Sequence, residues 1–135
     1  MPGTFSFTKL VVDDLEGMSA YYQKAYGLKE HGRIQAEIDG DPIDEIFLGA
    51  ESGHGPGSIM LLKFTTRPAP RPGAIILGFQ TDDLEKLLGE VEAAGGRRQT
   101  EISESEVAPV RVAFTVDPEG NSAENIQIMG PVSAD

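Results

Sequence analysis

The sequence contains no cysteine and no tryptophan in 135 residues. Without cysteine there is no disulfide frame, no thiolate nucleophile and no Cys-based zinc or iron–sulfur site. Long apolar runs are missing as well: none approaches the ~20 residues that a membrane-spanning helix needs. Met1-Pro2-Gly3-Thr4 lacks the basic and apolar regions of a signal peptide. The expectation is a cytoplasmic protein with no membrane partner. Positive charge is scarce, with 11 Lys and Arg against 22 Asp and Glu and a net charge of −11. Phosphate backbones and anionic membranes are bound through Lys and Arg, so no nucleic acid partner is expected. Such a charge either keeps a protein soluble or draws cationic ligands at long range.

Apolar residues make up 39% of the chain, enough for a packed interior. An internal repeat organises them. Asp13-Asp14-Leu15-Glu16 returns 69 residues later as Asp82-Asp83-Leu84-Glu85. Each copy follows an apolar strand-like run, Phe5 to Val12 and Ile75 to Phe79, and each precedes a helical pattern. Leu15, Met18, Tyr22 and Tyr26 share one helix face, as do Leu84, Leu87, Leu88 and Val91. Tyr21, beside this face, and Tyr22 and Tyr26 on it read as packing residues rather than catalytic ones. In each copy one of the paired aspartates can cap the helix N-terminus. Gly27 and Gly96, at the same spacing, suit left-handed C-terminal positions.

Short strand patterns follow each helix: 29–38, 43–48 and 58–64, then 97–102, 110–116 and 123–129. Asp39-Gly40 and Asp117-Pro118-Glu119-Gly120-Asn121 are turn signals between strands. Each half therefore reads βαβββ. The class is α+β, with 5–64 as the first module and 74–129 as the second. Residues 65–73, with Pro68, Pro70 and Pro72, read as a stiff connector. The acidic stretch 101–106 reads as a solvated loop, and 131–135 as a frayed tail.

The two βαβββ halves, the Asp-Asp-Leu-Glu helix starts and the late Asp-Pro-Glu-Gly-Asn hairpin resemble the vicinal oxygen chelate superfamily. That group includes glyoxalase I, methylmalonyl-CoA epimerase, extradiol dioxygenases and bleomycin-resistance proteins. The resemblance runs from about Phe5 to Met129 and implies a single domain over 1–135. In it the curved sheets of two tandem modules form a cup, with helices outside. Metal-dependent relatives place one ligand on each of four cup strands. The corresponding residues are Phe7, Met60 or Leu61, Ile76 and Glu124. Only Glu124 is a ligand type, and one carboxylate is too few for a divalent ion. His31 and His54 match none of the four positions; His54 lies in a Gly-rich loop. The resemblance therefore implies a member without the usual metal, and no cofactor is expected.

Strand alternation then assigns faces. In the first strand Leu10 and Val12 go to the helix side, and Phe7 and Lys9 to the cup. In the fourth, the charge of Lys63 puts Leu61 and Lys63 in the cup. In the fifth, Ile76, Gly78 and Gln80 face in. In the seventh, Val110, Val112, Phe114 and Val116 form the apolar helix side, leaving Arg111, Ala113 and Thr115 facing in. In the eighth, Glu124 and Ile126 face in and Asn125 falls on the helix side; a one-residue slip would instead present Gln127. The expected site is an apolar floor of Phe7, Leu61 and Ile76 around Glu124, with Lys9, Lys63, Gln80 and Arg111 as polar groups.

Three functions are compatible with such a site. In the first, a metal-independent isomerase or lyase acts on a small carbonyl or enolisable substrate. Glu124 is its acid/base, and Lys9, Lys63 or Arg111 stabilises developing negative charge. The second is a ligand-sequestering protein resembling the bleomycin-resistance proteins. The third is a metal-dependent glyoxalase or dioxygenase with non-standard ligands, such as His54. Against all three, Glu124 pairing only with Lys9 or Arg111 would make it a structural tie. The expected partners are a small organic molecule and a second copy of the chain, as a homodimer.

Overall fold

The structure is a computed structural model that describes residues 2–53 and 55–130. His54 and residues 131–135 lie outside the described residues. Two compact units divide the chain, 1–71 and 72–135.

The first unit opens with strand β1 (Phe7–Val11) and helix α1 (Leu15–Tyr26), followed by β2 (Lys29–Ile38), β3 (Asp41–Gly49) and β4 (Ser58–Phe64). Asp14 is the helix cap: its carboxylate accepts from the Gly17 N–H at 2.9 Å. Gly27 ends the helix at φ 70°, the left-handed geometry expected for it. Met18, Tyr21, Tyr22 and Ala25 are buried. Tyr21 meets Tyr22 edge-on, and Tyr22 stacks on Tyr26. The sheet order is β1-β4-β3-β2, with β1 and β4 parallel and the other pairs antiparallel. Asp39 at φ 50° and Gly40 at φ 87° make the tight turn between β2 and β3.

The second unit repeats the plan with β5 (Ile76–Thr81), α2 (Leu84–Ala93), β6 (Arg97–Arg98), β7 (Ser103–Glu104), β8 (Val110–Val116) and β9 (Ser122–Ile128). Its order is β5-β9-β8-β6, and β7 also pairs with β8. Again the strand before the helix is parallel to the last strand, Ile76 lying opposite Ser122. Asp83 caps α2 by accepting from the Lys86 N–H at 3.1 Å. Asp117 holds the last hairpin, accepting from the backbone N–H groups of Glu119 and Asn121 and from the Asn121 side-chain amide.

Some sequence expectations shift. β1 begins at Phe7 rather than Phe5, because pairing with β4 starts at Ser58. The strand expected over 97–102 is confined to β6, and the stretch 101–106 read as a loop contains the second short strand, β7; each is bonded to β8. After α2 the positive φ falls on Gly95, at 107°, rather than on Gly96. Ala94 still has helical geometry, so the chain reverses one residue earlier than the repeat spacing predicts. Among the described residues no helix is long and apolar enough to cross a membrane.

Candidate functional site

Residues paired across neighbouring strands point to the same side of a sheet, so the register decides which side chains share a face. In the first unit Lys9 pairs with Met60 and Met60 with Phe47; Val11 pairs with Leu62 and Leu62 with Glu45. One face therefore carries Phe7, Lys9, Met60, Leu62, Glu45 and Phe47. The other carries Leu10, Leu61, Ile46 and Leu48, all 3% exposed or less, and faces α1.

This placement corrects the reading of Leu61 and Lys63. Leu61 pairs with Leu10, so the two cannot lie on opposite faces. Both Leu61 and Lys63 belong to the α1 side. Lys63 reaches the chain just ahead of the helix, where its Nζ donates to the Asp13 carbonyl at 2.6 Å. Its long stem lets a charge near the helix side end at a polar atom. Alternation could not show this, because Ile59, Met60, Leu61 and Leu62 are consecutive, apolar and all buried. The register also decides between Met60 and Leu61: Met60 shares the face of Phe7.

Lys9 and Phe7 lie together on the face turned away from α1. Lys9 Nζ makes an ion pair with Glu45, whose side chain is 2% exposed, and lies 5.6 Å from the centroid of the Phe7 ring. Sequence reasoning missed Glu45. The available signal was parity: Ile43, Glu45 and Phe47 alternate, so a charge falls within an apolar stripe. Such a charge needs a partner when buried, and Lys9 is the matching cation in the other apolar strand.

In the second unit Glu124 pairs with Gly78 on β5 and with Phe114 on β8, while Gln80 pairs with Ile126. Ile76, Gly78, Gln80, Glu124, Ile126 and Phe114 share one face, so three of the expected residues are brought together there. A Cβ built on Gly78 would meet no atom within 4 Å. That opening adjoins a cavity of about 280 Å³ lined by Gly78, Phe79, Gln80, Glu124 and Ile126. Among the described residues no hydrogen bond or ion pair engages the Glu124 carboxylate.

Arg111 is corrected. It pairs with Gln127, on the face of Ala113, Thr115 and Asn125 against which α2 packs. Its guanidinium binds Glu85 in the first turn of α2 and lies 3.4 Å from the Gln127 amide oxygen. The hydrogen bond from Arg111 holds the Glu85 carboxyl below the usual range, and Glu85 in turn raises Arg111. Small residues, Ala113 and Thr115, allow the close approach of Leu84 and Leu88. The bulkier Val112, Phe114 and Val116 go to the Glu124 side. Sequence reasoning assumed the more apolar face of this strand must meet the helix, whereas packing favoured the smaller one. Asn125, an awkward residue for a helix-facing position, stays there fully buried. Its amide donates to the Ala113 carbonyl at 3.1 Å and to Thr115 Oγ1 at 3.0 Å. No register slip occurs, and Gln127 also lies on the helix side, accepting from the Leu84 N–H.

The sequence profile of the Glyoxalase/Bleomycin resistance protein/Dioxygenase superfamily matches residues 4–124. The chain belongs to this superfamily. Its fold is that of a glyoxalase family protein from Bacillus cereus, at 18% identity, with a TM-score of 0.78 over 93% of this chain and 94% of that one. A fosfomycin resistance protein from Listeria monocytogenes, solved with Mn(II) and sulfate, aligns at 16% identity and a TM-score of 0.67, covering 94% and 93%. A glyoxalase I mutant from Zea mays aligns at 21% identity and a TM-score of 0.70 over 93% of this chain. This chain spans 47% of the maize one. No curated protein is matched. At these identities the structures establish the fold and not the reaction.

The metal of metal-dependent relatives can be tested against the four corresponding residues here. Phe7 and Ile76 offer no donor atom, Met60 offers only a soft thioether, and Glu124 alone offers oxygen. Among the described residues no three His, Asp or Glu side chains converge as a ligand set. His31 lies on β2 and is bonded to the Ala50 carbonyl. The donor set does not fit a hard or borderline divalent ion.

Proposed function

We propose that this chain is a small-molecule-binding member of the superfamily that works without the usual metal, with Glu124 as the ionisable group that meets the ligand. The observation that carries this reading is the Glu124 carboxylate. It stands beside the opening at Gly78 with Gln80 and Ile126 around it, unpaired among the described residues. Apolar walls with a few placed polar groups suit an organic ligand, and a carboxylate favours a cationic or hydrogen-bond-donating one. The net charge of −11 would draw such a ligand.

This reading favours binding over enolate chemistry. The cations assigned to stabilise a developing negative charge are engaged elsewhere: Lys63 with the Asp13 carbonyl and Arg111 with Glu85. Lys9 is held by Glu45. A second reading, proton transfer by Glu124 on an enolisable carbonyl compound, is favoured by the same unpaired carboxylate beside Phe114 and Ile126. Thermal shift assays with cationic drugs, bleomycin among them, and with small keto acids distinguish the two. Ligand binding alone should raise Tm in the wild type, less so in Glu124→Gln, with no consumption of the compound. Proton transfer should exchange the α-hydrogens of a keto acid for deuterium in the wild type and not in Glu124→Gln. Equal stabilisation of both proteins by every active compound would overturn the role of Glu124.

A further inference from the structure

The first unit holds a cavity of about 870 Å³, and most strand residues of its lining lie on the face turned away from Lys9 and Met60. It lies between the first turn of α1 and strands β2, β3 and β4. Gln35 pairs with Asp44 and Asp44 with Lys63, so the three form one row across these strands. Leu15 supplies apolar surface next to the row, and Ile46 lies buried beneath it.

Most charged groups of the lining are engaged. Asp13 accepts from the Ala69 N–H at 2.7 Å and Asp14 from the Gly17 N–H at 2.9 Å. Glu16 binds Arg33 at 2.6 Å, and Arg33 also holds Glu30. Among the described residues no hydrogen bond or ion pair engages the Asp44 carboxylate. Lys63 gives one N–H to the Asp13 carbonyl, and an ammonium has three. Although Asp44 and Lys63 are opposite in register, no ion pair joins them. An open carboxylate and a partly engaged ammonium therefore stand about 5 Å apart at their Cβ atoms, beside an apolar wall.

We propose that this cavity binds an aliphatic α-amino acid. The ligand's ammonium binds Asp44 and its carboxylate binds Lys63, with its side chain against Leu15. Ammonium and carboxylate on one carbon match a cross-strand acid–base pair, and each charged hydrogen bond is stronger than a neutral one. The site is separate from the Glu124 cavity in residues and in unit.

The test is an NMR titration of the ¹⁵N-labelled full chain with L-leucine. Two analogues each lack one charge: L-leucinol has no carboxylate and 4-methylpentanoate has no ammonium. Saturable shifts at the amides of Leu15, Gln35, Asp44 and Ile46 are expected, with a Kd of about 1 mM or tighter. Each analogue, and each of Asp44→Asn and Lys63→Gln, should weaken binding about 10-fold. Lys63 also ties the entry of α1, so Asp44→Asn is the deciding variant if Lys63→Gln fails to fold. The proposal is overturned by no saturable shift up to ~10 mM L-leucine. It is equally overturned by unchanged affinity in folded Asp44→Asn, by equal binding of L-leucinol, or by shifts centred on Gly78 and Glu124.

Discussion

At the residue scale, a charge is placed by what its end can reach, and its strand position is a poor guide. Lys63 and Arg111 stand in strands where their stems lie on the helix side, and each ends at a polar group next to a helix start. Lys9 instead ends at Glu45, which is nearly inaccessible to water. Removing Lys9 leaves that carboxylate buried without its cation. Lys9→Met should therefore destabilise the protein by about 2 kcal/mol, below the range for a fully buried pair because Lys9 is partly exposed. Replacing both residues, as Lys9→Met with Glu45→Gln, should recover part of the loss. Urea denaturation measures both; a wild-type midpoint for Lys9→Met would show that the pair contributes nothing.

At the element scale, the two helices start alike and tolerate change differently. A Cβ on Gly17 would lie 2.1 Å from Asp14 Oδ2, so any side chain there displaces the capping carboxylate. Gly89 in α2 has open space around its Cα. Alanine is the better helix former by about 1 kcal/mol, while losing a cap costs about the same. Gly89→Ala should raise Tm, and Gly17→Ala should leave it unchanged or lower it. A matching gain at both positions would argue against the cap geometry. The tie between α2 and β8 predicts a pH dependence. Arg111 holds the Glu85 carboxyl low, so the stabilisation is present above the ordinary carboxylate range and disappears as pH falls through the lowered value. Arg111→Met should flatten the acid side of a Tm-against-pH curve and leave its alkaline side in place. An unchanged acid limb would show that other carboxylates set it.

At the scale of the whole molecule, the repeat is visible as topology: each unit runs strand, helix, then strands, with its first and last strands parallel. The ligand positions of metal-dependent relatives are distributed over both units, and here three of the four are apolar. Purified protein exposed to zinc, nickel, manganese or iron(II) and then desalted should retain less than about 0.1 equivalent of metal. Near-stoichiometric metal that is lost in Glu124→Gln would sink the metal-free reading and direct attention to glyoxalase and dioxygenase assays.

Local sequence signals were enough for both helices, most of the strands and the family. Capping aspartates, the Asp39-Gly40 and Asp117–Asn121 turns and the helical spacing act over a few residues, so they can be read locally. The strand faces of Phe7, Lys9, Ile76, Gln80 and Glu124 were legible because their strands alternate or sit at a fixed distance from a cap or turn. Only the tertiary structure decided the faces of Leu61, Lys63 and Arg111 and revealed Glu45. β4 is buried on both sides, and β8 turns its smaller face to α2, so apolar content no longer marks the helix side. Which face a strand presents is then set by pairing register and by how closely a helix can pack, and both depend on residues distant in the chain.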